Sequence, residues 1–220
     1  MLRVEWHDNQ NEVGQLLPVL GIEWHHLMRF GRRCRKLRRG AFCETWSCLP
    51  ETFCYAQFMT APLEFEHLLA PVTGLGEVDA LRSWRWLLPP KSIPVLMTAL
   101  GDMFIQVDEG PIHFLDSYEG TLKPAGEDYP DFKLALADER KLALWFLPDL
   151  VCALRESGLV LGKDQCYSPI VHTLVGGNME PSNFQAVPWK VHFFPLGQLV
   201  EQIAKLPPGT KIDGIDIEWK

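Results

Sequence analysis

The residues of this chain best suited to chemistry are its six cysteines and seven histidines. Structural zinc sites usually hold paired ligands about two to four residues apart. The four early cysteines are instead separated by eight, four and five residues, although a pair of adjacent histidines lies nearby. This group comprises Cys34, Cys43, Cys48, Cys54, His25 and His26. Its spacing favours ordinary thiols over a metal site.

Cys166 is the other candidate, because His172 or His192 could act as the base for a cysteine nucleophile. No recognisable nucleophile turn surrounds Cys166 in the sequence. A small buried thiol is the commoner state of cysteine in proteins. Both interpretations, a nucleophile and a buried thiol, are open from the sequence.

Two further kinds of site have weaker support. Gly176-Gly177 is not followed by a phosphate-binding helix, so we expect it to supply a turn. Four acidic residues could form a metal cluster or a carboxylate pair, although acids in a hairpin are usually solvated. They are Asp102, Asp108, Asp116 and Glu119.

The length and composition are those of a globular protein that can hold one good core, or one domain and an extension. Hydrophobic residues make up 47% of the 220 residues. No run of 18 or more apolar residues is present, so no transmembrane helix is predicted. The N-terminus lacks the apolar core of a secretory signal, so we expect a cytoplasmic protein with reduced thiols.

Charge is distributed unevenly along the chain. Residues 1–58 carry eight Lys/Arg and six Asp/Glu, a net charge of +2. Residues 59–220 carry 13 Lys/Arg and 22 Asp/Glu, a net charge of −9. An acidic domain suits a basic partner, and we expect neither direct binding to nucleic acid nor a membrane partner.

Residues 1–58 differ from the remainder of the chain in pattern as well as in charge. They contain a basic run at residues 32–39 and little helical periodicity. We therefore predict a poorly ordered extension. Two explanations are open: Met59 is the natural start and the preceding sequence is not translated, or residues 1–58 form a basic arm.

From residue 63 onward the pattern predicts an α+β fold, a compact mixed antiparallel sheet packed with several helices. Pro148 either kinks the longest predicted helix or begins a new one. Pro195 is predicted to open a final helix, and Trp86 is the tryptophan most expected to be exposed. The predicted helices cover residues 63–70, 77–88, 128–137 and 139–157. The predicted strands cover residues 95–99, 103–107, 112–115, 170–175 and 186–194.

Several short motifs occur in a characteristic order along the chain. They are Trp84 through Leu88, Thr98 through Phe104, Gly162 through Tyr167, Gly176-Gly177, Asn183, His192, Gly197-Gln198, Gln202 and Leu206 through Ile212. In this order and spacing they resemble the family called domain of unknown function 1851. That family also contains the C-terminal domain of immunity proteins against type VI secretion DNase toxins. Residues 63–115 are similar to the GAD-like domain that precedes it there.

The resemblance implies a division into three parts and a binding function. Residues 1–58 would be the extension, residues 59–115 the GAD-like part, and residues 116–215 the C-terminal domain, packed with the preceding part as one unit. The implied protein is an immunity protein that neutralises a cognate toxin, expected to be a nuclease, by stoichiometric binding. No catalytic residue, metal or cofactor is implied.

The polar residues of the matched motifs are the candidates for partner binding. They are Asp102, Gln165, Tyr167, Asn178, His192, Gln198 and Gln202. A structural role is the alternative for each: Asp102 could cap a turn, His192 could be a core histidine, and the glutamines could form a solvated helix face. Two other functions also stay open, a regulatory or housekeeping interaction module without a toxin partner and an enzyme that uses Cys166.

Overall fold

The computed structural model describes residues 63–76, 79–207, 210, 214 and 216–218. The extension predicted for residues 1–58, the hypothesis about Met59 and the early cysteine group lie outside these residues. The described part contains a four-stranded antiparallel sheet, a two-stranded sheet and four α-helices. The predicted α+β class is therefore confirmed.

The main sheet follows the order of the sequence, with each strand antiparallel to the next. Its strands are β1 (Ser92–Met97), β2 (Met103–Val107), β3 (Ile112–Asp116) and β4 (Thr121–Gly126). The predicted boundary between residues 115 and 116 falls inside β3, and the division into domains stays a prediction.

The smaller sheet pairs β5 (Gln165–Pro169) with β6 (Phe184–Pro188). It is tied to the end of β1, because the Tyr167 N–H donates to the Ala99 carbonyl at 2.7 Å.

The main sheet is covered on both faces, so it separates two hydrophobic cores. Successive strand residues point to opposite faces. On β2, Phe104 therefore enters one core while Met103 and Ile105 enter the other. The Phe104 core is covered by α1 (Tyr129–Ala137), α2 (Glu139–Phe146) and α3 (Pro148–Glu156). The opposite core is covered by α4 (Trp189–Ala204).

The first two helices begin where the sequence supplies caps. The Asp128 carboxylate accepts a hydrogen bond from the Asp131 N–H at 2.8 Å, and Asp138 accepts from the Arg140 N–H at 2.8 Å. Such caps satisfy backbone donors that the first turn leaves unpaired. Leu147 has a positive φ of 43°, which ends α2 and lets Pro148 begin α3. The chain thus starts a new helix at Pro148 and does not continue as one kinked helix.

The helix predicted over residues 77–88 is wrong in its described part, where only a 3-10 turn at Arg82–Trp84 is regular. Trp84 is fully buried and Trp86 is half-buried, which makes Trp86 more exposed than Trp84, Trp145 and Trp189, as expected. The indole N–H groups of Trp84 and Trp86 donate at 3.2 Å to the carbonyls of Phe193 and Gly197, one turn apart on α4. Residues two apart on an α-helix point about 200° away from each other. An α-helix could not present both indoles to α4.

The strand predictions near the C-terminal end also need correction. Residues 170–175 follow β5 and contain the 3-10 turn Thr173–Val175, and not a strand. The strand predicted over residues 186–194 ends at Pro188, and α4 begins at Trp189. Pro195 lies inside α4 instead of opening it. Proline cannot donate to the preceding turn, but the buried residues on either side hold the helix against the sheet.

Helix α4 approaches the 82–88 segment closely at Gly197. A Cβ atom there would lie 2.6 Å from the Ser83 carbonyl oxygen and 2.7 Å from the Ser83 hydroxyl. No side chain fits without moving the two segments apart. Across the described residues, no helix combines the length and the apolar character needed to cross a bilayer.

We expect Gly197→Ala to destabilise the protein by about 1–3 kcal/mol, because overpacking displaces α4. Alanine in an unconstrained helix would instead stabilise by roughly 0.5–1 kcal/mol, so the sign of the change is diagnostic. Urea unfolding gives the free energy. The control is Gly76→Ala, where a Cβ meets nothing within 4 Å. A stabilised Gly197→Ala protein would contradict the close contact.

Candidate functional site

The seven polar residues predicted to bind a partner fall into two groups by exposure. Three are buried, with at most 6% of their surface exposed: Asp102, Tyr167 and His192. Four are exposed at least in part: Gln165, Asn178, Gln198 and Gln202. The structure brings Asp102 and His192 to one buried region and places the others elsewhere. Whether any of the seven contacts a partner stays a prediction.

Asp102 joins two turns of the main sheet. It lies between β1 and β2, and one carboxylate oxygen accepts from the Ser117 N–H at 2.8 Å and from the Ser117 hydroxyl at 2.7 Å. Burial, reinforced by the nearby Asp116 carboxylate and opposed by the Ser117 bonds, raises the pKa of Asp102 to about 7. This geometry agrees with the turn-capping alternative.

His192 connects α4 to the smaller sheet and to the β1–β2 turn. Its Nδ1 lies 3.0 Å from the Ser168 hydroxyl on β5. Its ring lies over Gly101, which has a φ of 90° and where any side chain would overlap the imidazole. Burial, reinforced by nearby His172, lowers the pKa of His192 to about 3. The neutral ring therefore acts as a core histidine near pH 7.

Tyr118 and His172 complete this buried polar junction, which we define as Asp102, Ser117, Tyr118, Ser168, His172 and His192. The Tyr118 ring stacks on His172 with centroids 5.4 Å apart and packs against His192 at 6.0 Å. Its hydroxyl donates to the Leu100 carbonyl at 3.0 Å. Burial lowers the pKa of His172 as well. The junction joins the main sheet, β5, α4 and the segment after β5.

Three of the remaining candidates make local structural contacts. The Tyr167 hydroxyl donates to the Leu159 carbonyl at 3.0 Å. The Gln165 side chain accepts from the Gly162 N–H at 2.7 Å, which closes the turn before β5. The Asn178 side chain accepts from the Glu180 N–H at 3.1 Å. Asn178 is exposed, so a partner could still reach it.

The two glutamines on α4 hold the C-terminal part of the chain. Gln198 donates to the Glu218 carbonyl and accepts from the Glu218 N–H, both at 2.8 Å. Gln202 makes the same pair of bonds with Asp216, at 2.6 and 3.2 Å. Each side-chain amide thus pairs with one backbone unit, as a neighbouring strand would. The face is occupied by the chain itself, which differs from a solvated helix face.

The arrangement around Cys166 does not favour nucleophilic catalysis. The Cys166 side chain is fully buried in the core beneath α4, and burial raises the pKa of its thiol well above the usual range. The reactive form of cysteine is the thiolate. A thiol held protonated and away from solvent is poorly suited to attack a substrate.

Among the described residues, no three His, Cys, Asp or Glu side chains are grouped so as to hold a metal ion. Asp108 and Glu109 occupy a turn with positive φ values of 49° and 61°, and both are exposed. Asp116 and Glu119 both contact the Lys123 ammonium, at 3.0 and 2.7 Å. Two of the four acidic residues considered in the sequence thus meet at a lysine, and the four do not form one cluster.

Sequence reasoning placed Asn183 in the matched motifs without giving it a role, and it missed Ser117 and Ser168. Asn183 pairs with the Val171 backbone through its side chain and also holds Asn178. Ser117 and Ser168 are the partners of Asp102 and His192. The available signal was the density of Asn, Ser and Pro over residues 178–183, which is typical of side chains that bond to nearby backbone.

We expect Asp102→Asn to become more stable relative to wild type as the pH rises from about 4 to 8. Asparagine keeps an acceptor for Ser117 but cannot ionise. Because the folded pKa of Asp102 is about 7 and its ordinary value is 3.8, the unfolded chain loses this proton first, so wild-type stability falls across that window. The gain is on the order of 1–4 kcal/mol.

Paired urea unfolding curves at each pH give this difference. His172 and His192 are neutral in the folded protein and have the opposite pH dependence, because they lower the stability as the pH falls below about 6.5. Both histidines are present in both proteins. Their effect largely cancels in the comparison. A difference that does not change with pH would contradict the raised pKa.

Cys166 should resist alkylation in the native protein, because its thiol is buried and protonated. Iodoacetamide treatment followed by peptide mapping measures the rate at each cysteine. We expect Cys166 to react only when urea unfolds the chain, whereas the partly exposed Cys152 serves as the internal reference. Rapid native alkylation at Cys166 would restore the enzyme hypothesis.

A comparison with protein-family models gives one match. Residues 126–200 match the family model described as T6SS immunity protein Tdi1, C-terminal. The match covers about a third of the chain, from the last residue of β4 into α4. No curated protein matches the chain. The match supports a relationship between this chain and the immunity proteins of the type VI secretion system.

Proposed function

We propose that this protein neutralises a toxin of a type VI secretion system by binding it stoichiometrically. The observation that carries the proposal is the match of residues 126–200 to an immunity protein family. The matched residues contain α1 to α3, most of α4, both strands of the small sheet and half of the buried polar junction. The finer proposal is that the toxin is a nuclease.

The charge of the chain supports a cationic target. Residues 59–220 have a net charge of −9. A nuclease must attract phosphates, so it presents basic residues where nucleic acid binds. An acidic protein is steered towards such a surface and can occupy the place of the phosphates. Inhibition by occupancy requires no catalytic group on the inhibitor.

Solvent exposure limits which of the predicted residues can contact a partner without a rearrangement of the chain. Asn178 is exposed, and Gln165, Gln198 and Gln202 are half-buried. The glutamines of α4 would have to contact a partner beside residues 216 and 218, or after these residues move. Asp102, Tyr167 and His192 would support a contact surface from beneath. We retain the accessible four as proposed contact residues.

Titration of the toxin tests the proposed function. If a toxin gene adjoins the gene for this chain, the probe is its purified toxin domain, assayed for toxic activity with increasing amounts of the full chain. We expect activity to fall linearly and to end near one equivalent, because each inhibitor occupies one toxin molecule. Cys166→Ala is the control and should neutralise equally well.

Two outcomes would contradict stoichiometric neutralisation. Complete neutralisation far below one equivalent would indicate turnover and favour an enzyme. No neutralisation and no complex would favour an interaction module without a toxin partner.

Raising the salt concentration from about 50 to 500 mM should slow association markedly, since the Debye length falls several-fold over this range.

A further inference from the structure

The segment after β5 exposes a dense group of apolar side chains. Within ten residues, five large apolar residues have at least 36% of their surface exposed: Ile170, Val171, Leu174, Val175 and Met179. We call residues 170–179 the apolar loop. Single exposed apolar residues are common, but a contiguous patch on a soluble protein usually marks an interaction site.

The apolar loop is held from its C-terminal side by Asn183. The Asn183 side chain accepts from the Val171 N–H at 3.0 Å and donates to the Val171 carbonyl at 2.8 Å. It also donates to the Asn178 carbonyl at 2.8 Å. One side chain therefore connects the two ends of the loop.

The loop is also anchored from beneath by His172. This residue is buried, its Nδ1 accepts from the Leu174 N–H at 3.2 Å, and its ring stacks on Tyr118. With His172 turned inward, the flanking Val171 and the following Leu174 and Val175 remain outside. A loop that is already ordered loses little conformational entropy when a partner binds.

The charged residues near the loop are mainly acidic. No Lys or Arg occurs between Lys163 and Lys190, whereas Glu180 lies in that interval. Glu180 is exposed and directly follows Met179. The adjacent turn that carries Tyr118 has two carboxylates, Asp116 and Glu119, against the single ammonium of Lys123. The apolar centre thus has an acidic border.

We propose that the apolar loop is the surface through which this protein binds its toxin. The complementary surface of the toxin is an apolar depression bordered by basic residues. This proposal rests on the proposed function and names the contact surface. The loop side chains enter the depression, and Glu180 lies against the basic border. A second copy of this chain is a poorer occupant, because a two-fold contact brings like acidic borders together.

The test compares two sets of substitutions in the full chain. The loop variant combines Val171→Ser, Leu174→Ser and Val175→Ser, which remove exposed apolar surface and leave the Asn183 and His172 bonds in place. The control combines Leu134→Ser and Leu144→Ser, which are 72% and 70% exposed on α1 and α2. The probe is the same toxin domain, used in a catalytically inactive form, with Kd measured by calorimetry.

We expect the loop variant to raise Kd by about 100-fold or more, since buried apolar anchors dominate interface energies. The control should stay within about three-fold of wild type, as substitutions outside an interface do. Both proteins should keep the wild-type Tm, which separates lost binding from lost folding. Glu180→Lys should reduce the association rate at low salt by about three- to ten-fold, because a steering charge is reversed.

The outcomes separate the two proposals. Wild-type binding together with an unchanged Kd for the loop variant overturns the apolar loop and leaves neutralisation intact. Absence of wild-type binding overturns both. If the wild-type chain is a dimer in sedimentation and the loop variant is a monomer, the loop serves a second copy and the toxin contact is overturned.

Discussion

Helix α4 can lie against the 82–88 segment only because Gly197 has no side chain between it and Ser83. At this distance the indoles of Trp84 and Trp86 reach two carbonyls of α4. The contact closes the core on one face of the main sheet. It also fixes where His192 meets Gly101 and Ser168, and where Gln198 and Gln202 meet the C-terminal backbone. The position of α4 therefore determines both the buried polar junction and the face that holds residues 216 and 218.

Local signals in the sequence predicted much of the sheet and the first helices. Strand β2 and the helix that begins after Asp128 were predicted to within a residue, because alternation and an aspartate cap are local properties. The 77–88 segment and α4 were not predicted correctly, because the structure of each depends on its contacts with the other. The indole bonds of Trp84 and Trp86 favour an irregular turn over a helix. Pro195 signals a helix start in isolation, but packing allows it inside α4.

Surface properties were less predictable than the fold. A motif of polar residues suggests a contact surface, but the Asp102 carboxylate and the His192 Nδ1 bond to Ser117 and Ser168 within the fold. The apolar run Ile170–Val171 suggests a strand, and a strand would bury alternate residues. Asn183 supplies the backbone partner that a strand would need, and His172 turns inward. The exposed group is visible only when these non-local contacts are known.

Net charge and the apolar loop act on different steps of a proposed association with a basic toxin. Long-range attraction depends on the overall charge of −9 over residues 59–220 and increases the rate of encounter. It is screened by salt and adds little once the surfaces touch. The rate of dissociation depends instead on the apolar surface that the interface removes from water. It also depends on how little conformational freedom the loop loses on binding. A loop held by Asn183 and His172 before binding has already lost that freedom. Slow release would therefore depend on the buried polar junction, even though Asp102 and His192 do not reach the surface.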